Sequence, residues 1–352
     1  MSGVSVLSSF NLPITIWLGL LAVFLATLIS CLILSHYASS LKLIAEPGEH
    51  RLHSKPTPMV GGLAVYVGVL VGFFIVDSTF AKLLPALFLL CTIGALDDRY
   101  ALPSWARFVA QGIASYMMIE LTGVKLDTLG YLTPDSEWLL GRWSVPMTIF
   151  ATIGVINAVN MSDGHDGLAG AIVALTLFAL LITGGDAGLA MIGLAALLGF
   201  LSLNMRLFRP RARIFMGDAG STTLGLLLAY LLIKHAQAPN GIWPVTALWL
   251  LALPLVDAVA VLIVRPLRGR SPFDADRIHY HHQLVDRGLS VNVAVSIALL
   301  IQAGFICLGV WAWQIRIADH LQLMAFLTLF VAYVMSLLWF TRNGKGSMPK
   351  NQ

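Results

Sequence analysis

Asp97 and Asp98 stand side by side in the stretch LDDRYALPSWAR, and a third carboxylate, Asp218, lies in FMGDAGS between Gly217 and Gly220. Adjacent acids repel unless something positive binds them, and Mg²⁺ favours carboxylate oxygens combined with substrate phosphate oxygens. The three are therefore candidate ligands of a hard divalent cation, the plain alternatives being a solvated helix end for the pair and a helix cap for Asp218. In NAVNMSDGHDGLAG, Asn157, Asn160, Asp163 and Asp166 follow one another at intervals of three. Each is displaced by about 60° from the last while a helix persists, so they line one strip. Gly164, Gly167 and Gly170 imply that this helix frays into a tight loop. Amides and carboxylates there can pair with ribose, base or sugar hydroxyls, whereas bonding to neighbouring helices is the plain alternative for the two asparagines. His279, His281 and His282 cluster behind Arg277. Their spacing is too narrow for a structural zinc site and no cysteine accompanies them, so phosphate recognition by Arg277 and the imidazoles fits better.

These residues must be held by an unusual scaffold. Of 352 residues, 58% are hydrophobic and 11% charged, against roughly 25% charged in soluble domains. Eleven apolar blocks recur, at about 13–34, 59–76, 83–96, 107–122, 144–161, 167–184, 187–205, 218–236, 244–264, 291–314 and 321–340. Most approach the roughly 20 residues a helix needs to cross a bilayer. The blocks predict an all-α polytopic membrane protein with about eleven transmembrane helices. Residues 1–340 form a single integral-membrane catalytic domain, and residues 341–352 a short polar cytoplasmic tail. No cleavable signal peptide is expected.

With the N-terminus outside and the C-terminus cytoplasmic, 17 of the 22 Lys and Arg residues fall on the inner side, as the positive-inside rule requires. These four polar clusters and a fifth, HRLHSKPTPMVGG (His50 to Gly62), share that side, so one composite site can be built there. The net charge of +4 is thereby concentrated on one membrane face, a disposition for anionic headgroups or substrates and not for nucleic acid. Cys31, Cys91 and Cys307 lie in three different blocks, which suggests neither a disulfide framework nor a thiolate metal site. The longest outer loop, Gly123 to Trp143, has room for a small hairpin. Asp257, inside the ninth block, is read mainly as a packing residue bonded to a neighbouring helix or to Arg265, with a site role as the lesser option.

The ordered motifs KPTPMVGG, LDDR, NAVNMSDGHDGLAG, FMGDAGS and RIHYHH resemble those of the polyprenyl-phosphate N-acetylhexosamine-1-phosphate transferase superfamily, in particular its bacterial WecA type, over essentially the whole chain. The resemblance implies transfer of a sugar 1-phosphate from a UDP-sugar to a polyprenyl phosphate in the cytoplasmic leaflet of the inner membrane, with Mg²⁺ or Mn²⁺, and release of UMP. It implies Asp98 and Asp218 as metal ligands. Asp97, Asp98 and His279 become candidate catalytic residues. Lys55 would lie near the nucleotide, Phe215 against uracil, and Asp163 and Asp166 in the nucleotide pocket. Asn157, Asn160, Asn204, Arg277, His281 and His282 complete the substrate-binding set. The related MraY enzymes carry three consecutive histidines, whereas Arg277, His279, His281 and His282 follow the WecA-type pattern. That favours UDP-N-acetylglucosamine as donor; the resemblance as a whole implies undecaprenyl phosphate as acceptor, at the first membrane step of an O-antigen or related glycan. Ala101 stands where many relatives have a third acid, so no role of that acid carries over.

One-step attack of the lipid phosphate on the β-phosphorus and a covalent route through an aspartate both remain open at this stage. So do another UDP-N-acetylhexosamine, a homodimer and, from a different class, a transporter of an anionic nucleotide or sugar phosphate. A transporter, however, would place its polar residues near the bilayer midplane.

Overall fold

A computed structural model of the protein describes residues 12–46, 56–206, 211–271 and 278–343. Lys55 and Arg277 lie outside the described residues. Thirteen helices account for nearly all regular structure among them: α1 (Ile14–Leu41), α2 (Gly61–Ile75), α3 (Leu84–Tyr100), α4 (Ser104–Thr122), α5 (Ser144–Met161), α6 (Leu168–Ile182), α7 (Ala187–Asn204), α8 (Gly217–Ala236), α9 (Pro244–Leu250), α10 (Ala252–Leu267), α11 (Tyr280–Asp286), α12 (Val291–Gln314) and α13 (Asp319–Asn343). Among the described residues the only sheet is a two-stranded antiparallel pair, β1 (Ile44–Ala45) with β2 (Thr57–Pro58). Each of the eleven apolar blocks coincides with helix. Among the described residues, five helices are long and apolar enough to cross a membrane, or six if α9 and α10 form one bent span. The chain is thus a multi-pass helical membrane protein.

The core is arranged around α8, which is buried along nearly its whole length and packs against α2, α3, α5, α6 and α9. Its close approach to α2 requires small residues, because a Cβ on Gly62 would collide with the Gly220 backbone. The outer helices instead present large apolar side chains outward, among them Phe74, Phe150 and Leu300. Such a surface is costly in water and favourable in hydrocarbon.

The ninth block is not one helix. It breaks at Leu251 with a bend of 86° between α9 and α10. Pro254 has no N–H to give the carbonyl of Leu250, and its ring crowds that carbonyl. Buried side chains replace the lost bonds: Gln302 Nε2 and Thr176 Oγ1 donate to Leu250 O at 2.7 and 2.9 Å, and Leu253 N–H donates to Gln302 Oε1 at 3.0 Å. A break at this depth is tolerated only where protein groups satisfy the freed backbone. The loop between α4 and α5 forms the small hairpin expected there, with antiparallel bridges at Thr128 and Leu139 and at Thr133 and Ser136.

Candidate active site

The α3–α4 turn, the α5–α6 loop, the start of α8 and the start of α11 meet at one end of the bundle. Asp97 and Asp98 close α3. Asp97 is buried, accepting from the Leu102 N–H at 2.7 Å and from Arg107 Nη1 at 3.2 Å. It therefore braces the turn between α3 and α4 and aims Arg107. Ala101, at the position of the missing acid, ends α3 in a left-handed conformation with φ +52°.

Asp98 reaches across to the N-terminus of α8, where the N–H groups of Asp218 and Ala219 donate to its two oxygens at 2.9 and 3.2 Å. A helix N-terminus carries unpaired donors and partial positive charge, so a carboxylate is stabilised there. Gly217 makes this approach possible: its φ is +73°, and a Cβ would strike the Asp98 carboxylate. Asp218 does not cap α8. Its side chain accepts from Asn160 Nδ2 at 2.5 Å and lies 3.9 Å from Arg107 Nη1, while Ser221 Oγ also accepts from Asn160.

α5 ends at Met161 and α6 begins at Leu168, so the helix gives way to a loop as its glycines imply. Asn160, Asp163 and Asp166 share one cavity wall, and Asn157 and Asn160 share the wall of the adjoining groove. Asn157 donates to Gln111 Oε1 at 2.7 Å and to Ile153 O at 2.8 Å, which is the helix-bonding alternative for that residue. Burial, reinforced by Asp218, Asp98 and Asp166, holds the Asp163 carboxyl well above the usual carboxylate range. Asp166 is paired with Arg206 Nε at 2.6 Å and accepts from the Ala212 N–H at 2.9 Å. Asn204 is buried and structural in its contacts, accepting from Gly167 N–H and donating to Ile214 O, each at 2.8 Å.

Phe215 is pinned by its backbone, which donates to Pro58 O at 2.8 Å and accepts from Gly61 N–H at 2.9 Å. The histidine motif docks on the α5–α6 loop. His165 Nε2 lies 3.2 Å from His281 O, and the His281 and His282 rings both stand 4.9 Å from the His165 ring. Burial lowers the His165 pKa from its ordinary value. His279 is set further back, 6.4 Å from His282 between ring centres. Its Nδ1 lies 2.7 Å from Asp257 Oδ2. Asp257 is thus bonded to a neighbouring helix through the Tyr333 hydroxyl, as its packing reading expects, and also to His279 and the Tyr280 N–H of the histidine motif, as its site reading requires.

Two cavities open on this cluster. One, of about 340 Å³, is lined by Asp98, Asn160, Asp163, Asp166, Phe215, Asp218 and His282 among others. The second, of about 730 Å³, is a largely apolar groove between α3, α4, α5 and α10, with Asp97, Arg107, Asp218 and Arg265 among its few polar groups. Asn160 and Asp218 line both. Among the described residues, no three His, Cys, Asp or Glu side chains already surround a common metal position. The donor chemistry nevertheless suits a hard cation: several carboxylates crowd one cavity, and substrate phosphate oxygens would complete the ligand set. Sequence reasoning passed over Arg107, His165 and Arg206 as site residues, although Arg107 and His165 stand inside the quoted motifs.

A family model for glycosyl transferase family 4 matches residues 80–236. An undecaprenyl-phosphate α-N-acetylglucosaminyl 1-phosphate transferase of Escherichia coli O157:H7 is 33% identical over 333 residues, covering 91% of this chain and 90% of the relative. Proteins of the same description from Salmonella typhi and Haemophilus influenzae are 34% and 32% identical, covering 89% and 91% of this chain and 89% and 93% of their own length. The chain belongs to the family of these undecaprenyl-phosphate N-acetylglucosaminyl 1-phosphate transferases.

Proposed function

We propose that this protein transfers N-acetylglucosamine 1-phosphate from UDP-N-acetylglucosamine to undecaprenyl phosphate, releasing UMP, at the cytoplasmic face of a bacterial inner membrane. The observation that carries the reading is the meeting of a polar cavity and an apolar groove at Asn160 and Asp218. A reaction between a water-soluble nucleotide sugar and a membrane lipid needs such a junction. The names of relatives that align along nine-tenths of the chain agree with it. The orientation rests on the Lys and Arg distribution, which places the acid-rich end inside.

In this reading the nucleotide sugar enters the smaller cavity, with uracil against Phe215 and the polar wall of Asp163 and Asp166 beside it. His282 faces the diphosphate from the opposite side, with His281 and His279 packed behind it. The polyprenyl chain lies in the groove, and Arg107 and Arg265 at its polar margin draw in the acceptor phosphate. Asn160 fixes the direction of the Asp218 carboxylate, and Asp97 fixes Arg107. An acceptor phosphate oxygen then attacks the β-phosphorus, the bond to the UMP oxygen breaks, and UMP carries away the electron pair. Holding both reactants in line provides much of the acceleration. Mg²⁺, or Mn²⁺ in its place, would be held by Asp98 and Asp218 and would offset charge on the diphosphate and on departing UMP.

The test is purified protein in detergent with Mg²⁺, undecaprenyl phosphate and a panel of UDP-N-acetylhexosamines, with UMP measured. The account predicts release that depends on lipid and is fastest with UDP-N-acetylglucosamine. A transporter would yield no product under these conditions.

A further inference from the structure

Asp257 lies in the interior of α10 and is only 3% exposed. A carboxylate within a membrane helix is costly unless donors satisfy it. Here three donors from outside α10 do so. His279 Nδ1 lies 2.7 Å from Oδ2, the backbone N–H of Tyr280 donates to Oδ1 at 3.3 Å, and the Tyr333 hydroxyl of α13 donates to the same Oδ1. The carboxylate thus grips the first residues of the histidine motif with both oxygens, and the last helix secures it from behind. His279 is itself buried and its ring lies nearly parallel to that of His281, at 15° and 5.5 Å between centres.

The arrangement settles which ring nitrogen is left for chemistry. A carboxylate accepts and does not donate, so it selects the imidazole form that carries a proton on Nδ1. Nε2 is then the unprotonated nitrogen, an acceptor that can take a proton from the acceptor phosphate. Tyr333 removes the remaining freedom of the carboxylate, because its hydroxyl and the Tyr280 N–H occupy Oδ1 while Oδ2 faces the ring.

We propose that Asp257 and Tyr333 are positioning residues for the transfer reaction, Asp257 fixing the ring orientation and tautomer of His279 and Tyr333 fixing Asp257. The proposal rests on the reading in which the histidine motif meets the substrate diphosphate, and it extends the working site to α10 and α13. It also gives a reason for a buried carboxylate next to an apolar cavity of about 440 Å³, lined by Tyr280 and Tyr333 among others, where a purely packing role would be filled more cheaply by an apolar side chain.

Two measurements on the full-length protein in detergent test it. The first is a double-mutant cycle on UMP release. Asp257→Asn lowers kcat by about 10- to 100-fold, in the range for partners that orient a functional histidine, with KM for the nucleotide sugar nearly unchanged. Tyr333→Phe, a milder change that retains the ring, lowers kcat by a smaller factor. In a His279→Gln background, both substitutions lose most of their effect. Full multiplication of the effects would overturn the proposal, because a packing defect acts regardless of what stands at position 279.

The second is ¹⁵N NMR of histidine-labelled protein, with the His279 signals assigned by loss in His279→Gln. A resting His279 protonated on Nδ1, whose Nδ1 signal moves in both Asp257→Asn and Tyr333→Phe, supports the proposal. An Nε2-protonated ring indifferent to both substitutions overturns it. The NMR arm decides even if the wild-type protein releases no UMP, so failure of the functional reading and failure of the positioning role are told apart.

Discussion

The two ends of the helical bundle use the same polar residue types to different effect. At the end away from the acid cluster, Asp186 accepts from the Leu189 N–H and pairs with Lys234 Nζ at 2.6 Å. Gln237 ties down the hairpin loop through Asp127 and Thr128, Ser144 donates to Leu126 O, and Asp319 accepts from the Tyr131 N–H. There, acids and amides serve as staples, each matched to a cation or a backbone group. At the other end, Asp98, Asp163 and Asp218 line one cavity, Asp97 lines the adjoining groove, and Asp97 and Asp218 share Arg107. Polarity alone therefore does not mark the site. A surplus of negative charge facing open space does, because that surplus calls for a cation from outside the chain.

The comparison is broken most severely at the acid-rich end. Asp98→Asn and Asp218→Asn each lower turnover by about 10²- to 10³-fold or more, as expected for lost electrostatic stabilisation, while the protein keeps a cooperative thermal transition. Near-normal rates in both would remove the metal assignment. A smaller and more selective effect is expected in the groove. Gly154 has open space where a side chain would go and lines the apolar cavity. Gly154→Leu raises KM for the lipid acceptor by about tenfold and leaves KM for the nucleotide sugar unchanged. Equal changes in both would mean that the lipid binds elsewhere.

Smaller still is the pH dependence of stability without divalent ions. The Asp163 carboxyl is held above its ordinary range by burial and neighbouring acids. Its contribution is fully present below the unfolded carboxylate pKa of about 4 and is lost as pH rises through the raised folded value. The thermal midpoint in chelator is therefore expected to decline over that rise, and Asp163→Asn to flatten the decline. An unaltered slope would show that Asp163 does not carry the strain. The least effect belongs to the stapled end: Asp186→Ala, at a pair whose lysine is well exposed, costs at most about 1 kcal/mol of stability and leaves turnover as it was.

What could be read from the sequence follows the same division. The acid pair, the fraying of α5 and the sharing of one face by five motifs were legible because each depends on local composition and on helix direction. Two features were not. The role of Arg107 is set by a turn that folds it back on Asp97, ten positions away. The partners of Asp257 lie 22, 23 and 76 positions along the chain, and no periodicity encodes them. The broken ninth span lies between these cases. Residues 244–264 read as one apolar block; Pro254 accounts for the break locally, and Gln302 and Thr176, which satisfy the freed backbone, are distant in sequence.

The central claim is that the polar cavity and the apolar groove bring two substrates together at Asn160 and Asp218. The most direct measurement is single-turnover UMP release from UDP-N-acetylglucosamine by purified protein, with and without undecaprenyl phosphate. The account predicts UMP only when the lipid is present, in step with formation of the lipid diphosphosugar and nearly lost in Asp218→Asn. A first turnover of UMP without lipid, or undiminished release by Asp218→Asn, would contradict it.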